Sequence, residues 1–286
     1  MTAPRVLNLR SSQFIWGKRT YLMAVVNVTP DSFSDGGEYN TLEAAVNHAE
    51  QLVRGGADIL DIGGESSRPG AKSVDLAEEL DRTIPVISAL RQNPETAKIP
   101  ISIDTTKAIV AEKAIAFGAD LVNDISGATF DPQMLATVAR LGVPIILMHS
   151  RGTPQTMQTL TDYQDVVAEI CQFLKARCSE AIAWGISPEN IIIDPGVGFA
   201  KTYQQNIEIF QHLNLFKQLG FPLLVGPSRK SFIGHILRQS DPQQRIWGTA
   251  AACCRAIAGG TDILRVHDLP AMFEVSQVAD ALFRTE

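Results

Sequence analysis

The chain has 286 residues, 45% of them hydrophobic and 20% charged, which is enough apolar material for a sizeable core without disulfides or structural metal. A net charge of −6 and a pI near 5.4 argue against nucleic acid or an anionic membrane as the main partner, because both reward a basic surface. No basic segment followed by an apolar stretch opens the sequence, and no apolar run reaches the ~20 residues needed to span a bilayer, so a cytoplasmic protein is expected.

In chain order, residues 1–19 read as a short N-terminal cover in the form of a hairpin. Strand-like blocks follow at Tyr21–Val26, Ile59–Ile62, Ile101–Ile103, Leu121–Val122, Pro144–Met148, Ile191–Ile193, Leu223–Val225 and Ile263–Val266. They are apolar throughout rather than alternating, as strands covered on both faces are. Helix-patterned segments separate them: Thr41–Arg54 with Thr41 as its cap, Leu76–Arg91, Lys107–Phe117, Pro132–Leu141, Tyr163–Trp184, Gln204–Leu219, Ser231–Arg238, Gln243–Ala258 and Ala271–Phe283. Helix, glycine and strand recur together in RGGADILDIG, FGADLVNDIS, LGVPIILMH, LGFPLLVG and GGTDILRVH, the chemistry of a glycine C-cap turning into a buried strand. Eight such units predict an α/β fold, a (β/α)₈ TIM barrel occupying about residues 21–284 of one domain that spans 1–286. The rival is an open doubly wound sheet, but the turn after the first strand, VVNVTPDSFSDGG, lacks the glycine spacing of that class.

Cys171, Cys178, Cys253 and Cys254 contain no Cys-x-x-Cys pair and read as small buried residues in a reducing compartment. There is no zinc-type Cys/His spacing, Walker A loop or G-x-S-x-G elbow. His48, His212 and His235 fall in or near helices and read as solvated or satisfied bystanders.

Each predicted strand ends in polar residues: Asn27, Asp61, Asp104, Asn123 with Asp124, His149, Asp194, the GPSRKS run, and Arg265, His267 and Asp268. A barrel gathers such ends at one mouth, and buried polar groups need partners that a polar ligand can supply. Asp104, Asn123 and Asp194 suit a flat heterocycle with several N–H groups; the alternative is a structural network between strands. Lys230, Arg265 and His267 offer cationic donors for an anion; the alternative is surface ion pairing. TPDSFSDGG and GGESSRPGA are long for strand-to-helix connections and suit mobile lids.

These motifs resemble the dihydropteroate synthases. NVTPDSFSDGG (27–37), DIGGESSRPGA (61–71), SIDT (102–105), VNDISG (122–127), MH (148–149), DPGVGF (194–199), GPSRKSFIG (226–234) and RVHD (265–268) follow in the family's order, and the likeness spans Tyr21 to Phe283. The resemblance implies an enzyme that joins 6-hydroxymethyl-7,8-dihydropterin pyrophosphate to p-aminobenzoate, the target of sulfonamides, working as a homodimer. It implies that Asp104, Asn123, Asp194 and Lys230 hold the pterin, and that Asn27, Arg265 and His267 hold the pyrophosphate with Mg²⁺ bridging Asn27 and phosphate oxygens. Ser67, Arg68 and Pro69 close over the reaction with Asp31 and Phe33 of the first loop. Phe199, Lys230 and Ser231 frame p-aminobenzoate. Three readings compete: a folate-dependent methyltransferase of the same barrel lineage, a non-catalytic pterin-binding paralogue, and an unrelated phosphate-binding barrel such as an aldolase or isomerase, against which the eight ordered motifs stand. The chain departs from the family's pattern in having Ser66-Ser67-Arg68-Pro69 for the usual Ser-Thr-Arg-Pro, Ser150 after Met148-His149, and Ala200-Lys201 for Gly-Lys.

Overall fold

The structure, a computed structural model, describes residues 6–29 and 38–284. Eight strands lie side by side in parallel: β3 (Tyr21–Asn27), β4 (Ile59–Gly63), β5 (Ile101–Asp104), β6 (Leu121–Asp124), β7 (Ile145–Met148), β8 (Ile191–Asp194), β9 (Leu224–Val225) and β10 (Ile263–Val266). The hydrogen-bonded order β8-β7-β6-β5-β4-β3-β10-β9 closes into a ring through a parallel bridge between Ile193 and Leu223. This is the (β/α)₈ barrel that the repeats predict.

Helices α1 (Glu38–Arg54), α2 (Leu76–Gln92), α3 (Ala108–Ala116), α4 (Met134–Leu141) and α5 (Val166–Ala183) follow the first five barrel strands. After β8 come α6 (Tyr203–Gln211) and α7 (Leu213–Lys217), after β9 come α8 (Ser231–Leu237) and α9 (Ile246–Ala258), and α10 (Leu269–Phe283) ends the chain. Several helix boundaries differ from the sequence reading. The first helix starts at Glu38, so Thr41 lies inside it rather than before it. The fifth starts at Val166 because the Asp165 side chain accepts the Ala168 N–H at 2.9 Å. The segment Gln204–Leu219 is two helices broken at His212, so that Leu213 and Phe216 can both enter the core.

The outer faces of the strands (Leu60, Ile62, Ile103, Leu147, Ile193, Leu264) pack against the helices in the main core. Inside the ring, Tyr21, Met23, Ile59, Leu121, Ile146, Ile192, Leu224 and Ile263 form a second cluster. The N-terminal cover is the expected hairpin, β1 (Val6–Leu9) and β2 (Ser12–Ile15), and its Leu7, Leu9 and Phe14 join that inner cluster. The Tyr21 hydroxyl accepts the Ile15 N–H at 2.7 Å and fixes the hairpin against the first barrel strand. One end of the barrel is therefore an apolar floor, and only the end where the strands finish is left for chemistry. Among the described residues no helix is long and apolar enough to cross a membrane.

Candidate active site

Side chains alternate along a strand, so two residues beyond each inner apolar residue the chain again faces inward. From Ile59 that position is Asp61, from Leu121 it is Asn123, from Ile192 it is Asp194 and from Ile263 it is Arg265. On β5 the inward pair is Ser102 and Asp104, in register with Asp61 and Gly63. The polar group above the floor thus follows from strand geometry.

Arg265 is its hub. Its Nε donates to Asp61 Oδ2 at 2.6 Å and its Nη2 donates to Asp104 Oδ2 at 2.7 Å. Asn123 Nδ2 donates to the same Asp61 oxygen at 3.2 Å. Asp61 is fully buried, and Asp104, Asn123 and Asp194 are each at least nine-tenths buried. Burial raises the Asp104 carboxyl above the ordinary range, the Arg265 charge pulls it back, and the Asp61 charge raises it again. Burial alone would lower the Arg265 guanidinium, but Asp61 and Asp104 more than reverse this, so it stays a cation. Asp194 is pushed up to about 6 by burial, while the Gly196 N–H, donating to its Oδ1 at 2.7 Å, opposes the shift. Lys230 is lowered to about 8 by burial and then by the Arg265 charge, and its ammonium lies 4.2 Å from the centre of the Phe199 ring.

The loop after β8 carries Asp194 and Phe199, and its shape depends on glycine. Gly196 has φ +71°, and a Cβ there would sit 2.0 Å from the His149 carbonyl oxygen. Farther along, Lys201 is buried and donates to the Phe199 carbonyl at 2.8 Å, with His149 Nδ1 3.0 Å away. Ala200 has φ +49°, a left-handed conformation that the glycine usual at this place in the family would adopt without strain.

A cavity of about 380 Å³ opens on this group, lined by Asn27, Ser67, Arg68, Pro69, Asn123, Asp194, Phe199, Lys230, Ser231, Arg265 and His267. Asp104 sits beside it through its bond to Arg265. Twelve of the fourteen residues given a site role from the sequence, all but Asp31 and Phe33, therefore lie at one mouth. Met148, Met157, Phe199 and Ile125 supply an apolar wall, so the cavity pairs a flat greasy face with a charged edge. A wider basin of about 950 Å³ continues outward past Asn27, Arg68, Arg229 and His267. The second long loop is tied to the loop after β7 by the Gly70 N–H, which donates to the Pro154 carbonyl at 2.9 Å. Asp31, Ser32 and Phe33 of the first long loop lie outside the described residues.

Several expectations are corrected. Asp124 points outward, as the neighbour of an inward residue must, and its Oδ1 accepts from the Ser126 N–H and hydroxyl at 2.7 and 2.6 Å. His149 likewise turns away from the mouth toward Lys201; burial, then the Lys201 charge, lowers it to about 2. His267 is at the mouth but is no cation, because burial, then Arg265, lowers it to about 3. The Ser228 hydroxyl oxygen accepts the His267 backbone N–H at 3.2 Å and lies 3.0 Å from Nδ1. A serine hydroxyl can donate to Nδ1 or accept from it, and in either case the neutral ring keeps one N–H donor. His48 is half-buried at the edge of the outer basin and is hydrogen-bonded to the Val25 backbone, in keeping with a satisfied side chain. Asp61, which the sequence places at a strand end without assigning it a role, is the buried partner of Arg265 and Asn123, and its inward place follows from its spacing from Ile59.

This architecture, a closed barrel with carboxylates, an amide and buried cations gathered around an apolar slot at its C-terminal mouth, defines an enzyme of the pterin-binding barrels. The family model "Pterin binding enzyme" matches residues 23–267. The chain is 60% identical over 281 residues to a dihydropteroate synthase of Synechocystis sp., covering 98% of this chain and 96% of that one. It is 42% identical over 278 residues to the dihydropteroate synthase of Bacillus subtilis, covering 97% and 94%. Among solved structures, the Xanthomonas albilineans dihydropteroate synthase with 4-aminobenzoic acid superposes with a TM-score of 0.90 at 41% identity, covering 99% of this chain and 100% of that one. The same organism's enzyme in complex with 7,8-dihydropteroate gives 0.86 at 39% identity, covering 98% and 100%. The chain belongs to the pterin-binding enzymes and, within them, to the dihydropteroate synthases.

Proposed function

We propose that this mouth condenses 6-hydroxymethyl-7,8-dihydropterin pyrophosphate with p-aminobenzoate, yielding 7,8-dihydropteroate and pyrophosphate (EC 2.5.1.15). The observation that carries the reading is the composition of the buried cage: three inward carboxylates, Asp61, Asp104 and Asp194, against two cations, Arg265 and Lys230. Such a cage leans negative and favours a ring that becomes electron-poor as its leaving group departs.

Asp104, Asn123, Asp194 and Lys230 hold the pterin edge, while Met148 and Phe199 cover its face. Arg265 through Nη1 and the neutral His267 ring receive the pyrophosphate oxygens. The C–O bond to pyrophosphate breaks with its electron pair leaving on oxygen. The p-aminobenzoate nitrogen forms the new C–N bond and releases one proton to solvent. An arylamine is nucleophilic at neutral pH, which agrees with a site built without a nucleophile–base pair. Ser67, Arg68 and Pro69 shield the reacting centre from water, and Phe199, Lys230 and Ser231 bind the benzoate.

Mg²⁺ fits as a cofactor carried by the substrate. Among the described residues no group of three His, Cys, Asp or Glu side chains forms a metal cage, whereas the Asn27 amide stands at the junction of both cavities. An ion that keeps waters and takes most other ligands from phosphate needs only such an oxygen. When bound, it would neutralise charge on the departing pyrophosphate.

The working unit on this reading is a cytoplasmic homodimer of single-domain chains that binds neither nucleic acid nor membrane. Trp247 on α9 and Val278 and Leu282 on α10 are 81%, 62% and 71% exposed on adjoining helices, an apolar area that a second copy would cover. A Trp247→Glu chain eluting as a monomer beside a dimeric parent supports the assembly; unchanged elution counts against that face. The activity itself is tested with the purified protein, both substrates and Mg²⁺. Dihydropteroate and pyrophosphate in equal amounts are expected, and their absence refutes the assignment.

A further inference from the structure

We propose that Asp61 is a positioning residue that fixes which hydrogen-bonding face Asn123 shows to the pterin and where Arg265 points. The inference rests on the reading that the cavity holds a pterin. Asp61 lines neither the inner cavity nor the outer basin, so its action passes through its neighbours. Its Oδ2 accepts both Arg265 Nε–H at 2.6 Å and Asn123 Nδ2–H at 3.2 Å.

The two consequences are directional. A carboxylate paired with a guanidinium only accepts hydrogen bonds, so it admits the amide nitrogen of Asn123 and turns away the amide oxygen. The oxygen is then offered to the ligand as an acceptor, matched to a ring N–H. An asparagine free of this constraint could rotate by half a turn and present the opposite pattern. For Arg265, the edge made by Nε and Nη2 is filled by Asp61 and Asp104, which leaves Nη1 as the end that meets an anion. Asp61 thereby joins the residue that recognises the ring to the residue that receives the leaving group. The register places Asp61 opposite Val25 and Ser102, at the centre of the ring wall, where its rotamer has little room.

The test is Asp61→Asn, nearly the same shape without the acceptor-only character, combined with Asn123→Ala. Calorimetry with 6-hydroxymethyl-7,8-dihydropterin, which carries no pyrophosphate, reads ring recognition alone. The expected result is binding weakened about tenfold by Asp61→Asn in the parent and by less than about threefold in the Asn123→Ala background, the non-additivity of coupled neighbours. KM for p-aminobenzoate is expected to change by less than about twofold, because Asp61 acts through the pterin side. A residue that merely supports the fold would lower thermal stability and give equal penalties in both backgrounds; equal penalties, or unchanged affinity, overturn the proposal. A second measurement needs neither a variant of Asp61 nor a ligand. In ¹⁵N-labelled protein, the arginine Nε–H resonance that disappears in Arg265→Lys should exchange slowly with solvent; rapid exchange overturns the proposal. Failure of the parent protein to bind the pterin, with that resonance protected, would count against the functional reading and not against the role of Asp61.

Discussion

Replacing Arg265 by alanine separates two effects that meet in one side chain. Its guanidinium compensates Asp61, whose side chain is fully buried, and Asp104, whose side chain is 9% exposed. Removing one partner of a buried ion pair costs about 3–5 kcal/mol, because the carboxylates left behind have lost both water and partner. At ~2–4 °C per kcal/mol for a chain of this size class, the melting temperature should fall by roughly 6–20 °C. The loss should depend on pH in a stated direction. Burial already holds Asp104 above the ordinary carboxylate range, with Arg265 pulling it back. Without that charge its folded value rises farther above the unfolded one. The folded state then binds the extra proton across that window, so stability falls as pH rises through it and is greatest below it. Relative to the parent, Arg265→Ala should therefore be least impaired near about pH 5 and most impaired near about pH 8. Turnover followed by pyrophosphate release should fall on the order of 10²-fold or more at saturating substrate, as when a charge-stabilising donor is lost. A variant melting with the parent at both pH values and turning over near normally would falsify both the ion-pair ledger and the pyrophosphate assignment.

Other outcomes follow from the same site and its supporting core. Affinity for the pterin, measured by calorimetry across pH, should peak near 7: below about 6 Asp194 gains a proton, and above about 8 Lys230 loses one. Asp194→Asn should flatten the acid limb and spare the alkaline one; an unchanged profile refutes the assignment. Gly196→Ala should be strongly impaired in folding yield, since its Cβ would meet the His149 carbonyl at 2.0 Å on a left-handed backbone, and a normally stable, active variant would show that the loop can rearrange. Phe14→Ala should cost about 3–5 kcal/mol by emptying the barrel floor, while KM for both substrates stays unchanged in the folded fraction. An altered KM there would mean that the floor reaches the mouth.

Most of the fold was legible because a parallel barrel strand is buried on both faces and followed by a capped helix. The run Ile59–Ile62 is apolar apart from one aspartate, and glycines mark the returns at Gly55-Gly56, Gly118, Gly142 and Gly220. Boundaries were less legible where two residue types competed for one duty. Asp165 rather than Tyr163 opens α5, because only the aspartate has an oxygen within reach of the Ala168 N–H. The break at His212 left no proline or glycine in the sequence; it comes from tertiary demand on Leu213 and Phe216.

The site was legible as residue types and less so as directions. Adjacent polar residues on one strand end look equivalent as letters, yet a strand sends neighbours to opposite faces. Asn123 and Asp124 are separated only by counting from an inward residue such as Leu121, and the same counting from Ile146 turns His149 outward. The same counting turns Asp61 inward from Ile59. Protonation was not legible in that way. His267 lies two residues after Arg265 and suggests a pair of cations, but their charges are set apart by what surrounds them. Arg265 meets two carboxylates and keeps its charge, whereas His267 meets a serine hydroxyl in a buried, positively charged setting and loses it. One strand end thus delivers a fixed cation and a neutral donor to the same anion. That division follows from packing between β9 and β10, which no local reading of RVHD contains.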